Sequence, residues 1–160
     1  MKKPGLWLAA AALLAMSTTV SAGESTGYYT TTDGKQKVTE LPDGRKIVVS
    51  HYYQLTKSDQ SDDPISGMDS DCIGQFLLDK DGKMLSGSGS CFSHNGKGDG
   101  SSWWWKVDEM GTAKCPDVCG SFGYVNGFGK LKGVTGGGTW VRTDLMARGS
   151  IGTYKSKYKR

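Results

Sequence analysis

Leu77-Leu78-Asp79-Lys80-Asp81-Gly82-Lys83-Met84-Leu85 is the stretch on which the fold turns. An Asp-Gly pair between two apolar runs is the strongest short-range hairpin signal, because a tight two-residue loop needs left-handed dihedrals that glycine adopts freely. Centring the turn on Asp81-Gly82 sets Lys80 opposite Lys83, Leu78 opposite Leu85, Phe76 opposite Gly87 and Cys72 opposite Cys91. Side chains alternate along a strand, so both cysteines share a face with Phe76, Leu78 and Leu85. The four cysteines are Cys72, Cys91, Cys115 and Cys119. Of the three pairings they allow, the hairpin register favours Cys72–Cys91. In an ideal ladder that pair falls at a hydrogen-bonded site, where the Cβ atoms are less close, and a bulge at Gly87 or Gly89 would adjust it.

The remaining cysteines lie in Cys115-Pro116-Asp117-Val118-Cys119. A second disulfide pinning a loop is the favoured reading. A redox pair would have two intervening residues and a βαβ setting. A soft-metal site for copper(I) or zinc would want more ligands, and the two histidines, His51 and His94, are distant in sequence.

Outward from the hairpin, short strands and turns recur. Lys37–Leu41, a Pro42-Asp43-Gly44 turn and Arg45–Thr56 read as a second hairpin. In its long strand Ile47, Val49, His51, Tyr53 and Leu55 form one face, read as the core face, and Val48, Ser50, Tyr52 and Gln54 the other. Gly23–Thr32 is polar and is expected to fray at its start. Strands are also expected at Ser101–Val107, Ser121–Asn126, Lys130–Thr135, Gly138–Asp144 and Gly149–Tyr158. After the first 22 residues no segment has apolar residues at helical spacing over three turns. The fold class is therefore all-β. A single antiparallel barrel of about eight strands is preferred to a sandwich, since closure removes edges and glycine supplies the bends.

Residues 1–22 read as a cleavable signal-peptide helix, and residues 23–160 as one β-barrel domain. Lys2 and Lys3 precede an apolar stretch from Leu6 to Met16, and Val20-Ser21-Ala22 supplies small residues for a peptidase. That stretch is roughly a dozen residues, against about 20 for a membrane-spanning helix, so no span is expected after cleavage. The address is periplasmic or secreted, an oxidising compartment that suits disulfides. Loss of Lys2 and Lys3 lowers the net charge from +4 to about +2, too small a surplus to predict nucleic-acid binding.

Few residues suggest chemistry. His51 lies on the face read as core, and His94 sits in a Gly-Asn turn; no Gly-x-Ser-x-Gly elbow is present. Asp59, Asp62, Asp63, Asp69 and Asp71 lack the spacing of a calcium loop and read as a solvated acidic segment. No catalytic residue, metal or cofactor is assigned. Trp103-Trp104-Trp105 is the most unusual feature. On a strand, Trp103 and Trp105 point inward and Trp104 outward. The inward pair, with His51, Tyr53, Phe122 and Tyr124, would either fill the barrel or line a cavity for a flat apolar ligand. Trp104 would serve a partner or a carbohydrate. In the tail, Lys155, Lys157 and Lys159 alternate and protect an edge.

The segment Gly127-Phe128-Gly129-Lys130-Leu131-Lys132-Gly133-Val134-Thr135-Gly136-Gly137-Gly138-Thr139-Trp140 resembles the Gly-Thr-Gly-Lys-Phe-x-Gly-x-x-Gly-x-Gly-Thr-Tyr segment of small calycin-like barrels related to allene oxide cyclases and dirigent proteins. Cys72-Ile73-Gly74, Gly89-Ser90-Cys91, Gly98-Asp99-Gly100 and Gly152-Thr153-Tyr154 are similar to further landmarks of secreted bacterial proteins with that barrel. Phe128 stands where the pattern has Thr. The resemblance implies an eight-stranded antiparallel barrel and carries no activity, since the fold serves binding and cyclisation alike. The leading expectation is an exported, non-enzymatic barrel that binds a small hydrophobic or aromatic molecule. A cyclase or isomerase with His51 or Tyr53 as its polar group, and an envelope interaction protein using Trp104 and the basic tail, are the alternatives.

Overall fold

The computed structural model describes residues 22–60, 63 and 65–160. The signal peptide expected over residues 1–22 lies, apart from Ala22, outside the described residues, as do Asp62 and Pro64. Eight strands follow one another: β1 (Ala22–Glu40), β2 (Lys46–Ser58), β3 (Met68–Leu78), β4 (Met84–His94), β5 (Gly100–Met110), β6 (Val118–Phe128), β7 (Thr135–Met146) and β8 (Gly149–Lys159). Each pairs antiparallel with its sequence neighbours, and β1 pairs with β8 to close the barrel. Closure leaves every strand with two partners, so no ladder edge is open to another chain.

The central hairpin keeps its expected register by an unexpected route. Its turn runs from Asp79 to Lys83: Gly82 N–H donates to Asp79 O (3.1 Å) and Asp79 N–H to Lys83 O (2.8 Å). Gly82 takes the left-handed position at φ 84°, where a Cβ would be strained. This three-residue loop sets Leu78 opposite Met84, one residue out of the Asp81-Gly82-centred register. An irregularity between Leu77 and Leu78 then restores it, so Leu77 meets Ser86, Phe76 meets Gly87 and Cys72 meets Cys91. Leu85 is the residue displaced. It is exposed on the outside, and its expected place beside Leu78 is corrected. The slip also changes hydrogen-bond parity. The bonded cysteines stand 4.1 Å apart at Cα, the close spacing of a non-hydrogen-bonded pair, without a bulge at Gly87 or Gly89.

Both disulfides form, Cys72–Cys91 and Cys115–Cys119. The first lies inside the barrel, in one continuous cross-strand row: Tyr52, Cys72, Cys91, Trp103 and Tyr124 sit opposite one another on β2 to β6. That row fixes which face of β2 turns inward. Val48, Ser50, Tyr52, Gln54 and Thr56 face the interior, while His51 and Tyr53 stand outside in solvent, contrary to expectation. The physical reason is register: Tyr52 is opposite Cys72, and opposed residues share a side of the sheet.

Two other expectations are corrected. Gly23–Thr32 is not frayed; it is the first half of β1, held by ladders to both β2 and β8. Lys130–Thr135 is not a strand. Gly129–Leu131 forms a short 3₁₀ helix, and Leu131 and Val134 plug one end of the barrel with Ile65, Met68 and Tyr158.

Replacing Cys72 and Cys91 by serine should cost about 3 kcal/mol, against about 2 kcal/mol for Cys115 and Cys119, because the sequence separations are 19 and 4. Urea unfolding of the two double variants measures that order. Mass spectrometry of the intact protein should show a gain of two hydrogens per cysteine pair on reduction.

Candidate functional site

The barrel is hollow. A cavity of about 380 Å³ runs through its middle, with Ile65, Met68 and Leu131 among its lining at the plugged end. At the other end, Leu78, Met84, Val118 and Leu145 line it where the strands terminate.

Trp105 is the centre of the aromatic wall. Its ring meets Tyr52 edge-on (6.3 Å between centroids), Phe76 at a tilt (5.6 Å) and Trp140 edge-on (6.2 Å). Towards the plug, Trp103 meets Phe122, Phe122 meets Tyr124 and Tyr124 meets Tyr158, all edge-to-face. Edge-to-face contact brings positive ring edges onto negative ring faces, which is the preferred aromatic geometry. Trp105 fits because Gly74 and Gly89 face it. A Cβ on either would come within 2.8 Å of the indole.

The polar ends of these rings are mostly satisfied. Trp103 Nε1 donates to Ser93 Oγ (2.7 Å), which also bonds Ser70 Oγ (2.6 Å). Trp140 Nε1 donates to Ser121 O (3.3 Å), while Tyr124 and Tyr154 bond Ser156 and Ser25. Burial pushes the phenols of Tyr29, Tyr52 and Tyr124 well above the ordinary tyrosine range. They are therefore neutral hydrogen-bonding groups at any ordinary pH.

Of the six residues expected around a cavity, Trp103, Trp105, Phe122 and Tyr124 line it, and His51 and Tyr53 do not. Trp104 is outside, its indole lying against Gly123. The expected acidic segment divides. Asp59 accepts from Thr26 Oγ1, Asp69 and Asp71 stand exposed on β3, and Asp63 is buried, accepting from Ile65 N–H (3.0 Å).

Two charged residues near the open end escaped the sequence reading. Arg142, on β7, lines the cavity and grips Asp117 through Nε (2.6 Å) and Nη2 (2.5 Å). The two hydrogen bonds hold the Asp117 carboxyl below the usual carboxylate range. Asp117 belongs to the loop closed by Cys115–Cys119, so that disulfide helps hold the ion pair in place. The one available signal was alternation: Arg142 follows inward Trp140 by two residues.

No family model matches the chain, and no curated protein does. Among solved structures it is similar to a pterocarpan synthase dirigent protein, with a TM-score of 0.54 and 11% identity over 96% of this chain and 97% of that one. At that identity the likeness concerns the fold.

Alkaline titration tests the burial of the phenols. In an unfolded chain tyrosine ionises near 10.0, whereas Tyr29, Tyr52 and Tyr124 hold their protons to higher pH in the barrel. The folded state then binds more protons than the unfolded one, so stability is intact below that pH and falls as pH rises beyond it. Tyrosinate absorbance should therefore rise in two stages, the second coinciding with loss of the circular dichroism of the fold. A single smooth ionisation of all seven tyrosines would show these three open to water.

Proposed function

We propose that this protein is an exported, non-catalytic barrel that binds one small hydrophobic or aromatic molecule in its interior. The observation that carries this reading is the cavity itself. About 380 Å³ lined by Trp103, Trp105, Phe76, Phe122 and Tyr52 lies within the ~300–1,000 Å³ of small-molecule sites. Leaving such a space between large rings forfeits dispersion contacts that packing side chains would supply, and a ligand restores them. Two disulfides suit an oxidising compartment, which supports export. The likeness to a dirigent protein supports a barrel of a kind used around small molecules.

Binding is favoured over catalysis by the ionisation of the lining. Acid–base work near neutrality needs a group tuned towards pH 7. The phenols of Tyr29 and Tyr52 are moved in the opposite direction. His51 and Tyr53, the polar groups on which a cyclase reading rested, are outside the barrel.

Native mass spectrometry of the protein purified from its own compartment should show a retained small molecule. Equilibrium dialysis with 2-isopropylnaphthalene should show saturable uptake of one molecule per chain. A bare protein mass together with no uptake would overturn the reading.

A further inference from the structure

Most polar groups on inward aromatic side chains have a protein partner: Trp103, Trp140, Tyr124 and Tyr154 are all hydrogen-bonded. Among the described residues, two N–H or O–H groups do not. Trp105 Nε1 is one, but it is sealed against the β4 wall at Gly89, out of a ligand's reach. The other is the hydroxyl of Tyr29, a residue only 7% exposed that lines the cavity and makes no hydrogen bond among the described residues. Buried phenols normally have a partner, so an unmatched one facing a cavity marks where an acceptor belongs.

The setting of Tyr29 is specific. It lies opposite Gly152 on β8, and Gly152 lies opposite Arg142 on β7. The phenol ring rests on Gly152, where a Cβ would collide with its Cζ and hydroxyl. The hydroxyl is thus carried across β8 towards Arg142, near enough for both Arg142 and Asp117 to influence its ionisation. Arg142 spends Nε and Nη2 on Asp117, and Nη1 has no partner among the described residues. The bidentate grip fixes the plane of the guanidinium, leaving Nη1 as an oriented donor.

We propose that the ligand is a neutral, planar aromatic carbonyl compound whose oxygen accepts hydrogen bonds from Tyr29 Oη and Arg142 Nη1 while its ring lies among Trp103, Trp105, Phe76 and Phe122. This rests on the binding reading above and adds the ligand's chemical class. Both groups are donors, since burial keeps the phenol protonated and a guanidinium accepts nothing. A neutral oxygen is preferred to a carboxylate because Asp117 already balances Arg142, and Asp33 adds another negative charge to the lining. A buried carboxylate would meet those charges with no net cation to offset them.

Three probes of nearly equal shape decide the matter: 2-acetylnaphthalene, 2-isopropylnaphthalene and 2-naphthoate, measured by equilibrium dialysis against the purified protein. The ketone should bind about tenfold more tightly than the hydrocarbon, the size expected of two hydrogen bonds made in place of none. Its carbonyl stretch should move to lower wavenumber on binding. In Tyr29→Phe the ketone-to-hydrocarbon ratio should fall about threefold, the loss of one of the two bonds. Asp117→Asn, which leaves Arg142 unbalanced, should shift preference from the ketone towards 2-naphthoate. Equal binding of ketone and hydrocarbon, or an unshifted stretch, would overturn the proposal and leave the binding reading intact. Tightest binding of 2-naphthoate to the unaltered protein would also overturn it. Failure of all three probes to bind would overturn the proposal, and together with a bare protein mass it would sink the binding reading as well.

Discussion

The bond between Cys72 and Cys91 sits in the middle of the row that gives the barrel its inside. Tyr52, Cys72, Cys91, Trp103 and Tyr124 face one another across five strands, and every inward side chain on those strands is two, four or six residues from that row, with bulges the exceptions. A slip of one residue would turn each strand's interior set out into water. A covalent tie between neighbouring strands forbids that slip at β3 and β4, and the ladders carry the constraint to the strands on either side. The three-residue turn at Asp79–Lys83 is out of step with this register, and the irregularity at Leu77/Leu78 absorbs the mismatch.

With parity set, the size of the rings and the absence of side chains on the glycines shape the interior. Trp105 lies against Gly74 and Gly89, and Tyr29 against Gly152, so large rings lie close to the wall. An eight-stranded barrel is just wide enough to be filled by side chains or to hold one small ligand. Rings laid against glycine leave the middle open. The plug of Ile65, Met68, Leu131, Val134 and Tyr158 closes one end, which makes the space a cup.

The open end is organised by charge. Asp117 comes from a loop tightened by Cys115–Cys119 and meets Arg142 from β7 in a two-bond pair. An isolated guanidinium in such a lining would carry a heavy desolvation penalty, and a carboxylate held by its own disulfide loop reduces it. The pair is electrically balanced, and among the described residues it leaves Nη1 of Arg142 without a partner.

Much of this was legible in the chain. The hairpin between β3 and β4, the Cys72–Cys91 pairing and the opposed orientations of Trp103, Trp104 and Trp105 follow from alternation and turn chemistry, which are local. The closed antiparallel barrel rests on the recurrence of short strands and on the glycine-rich resemblance. The inward face of β2 was not legible, because the outer face carrying Val49, Tyr53 and Leu55 is the more apolar of the two. Exposed Tyr53, Ile73, Phe92 and Trp104 show that the outside of this wall is itself rich in apolar residues, so hydrophobicity does not separate in from out. Nor were the partnership of Asp117 with Arg142, the resting of Tyr29 on Gly152, or the presence of a cavity visible. Each depends on residues from different strands meeting at a particular height in the barrel. The sequence by itself determined most of the strands, the places of their turns and the two staples. Tertiary structure decided which side of each strand is inside and how much of that inside stays empty, because both depend on the register summed around a closed ring.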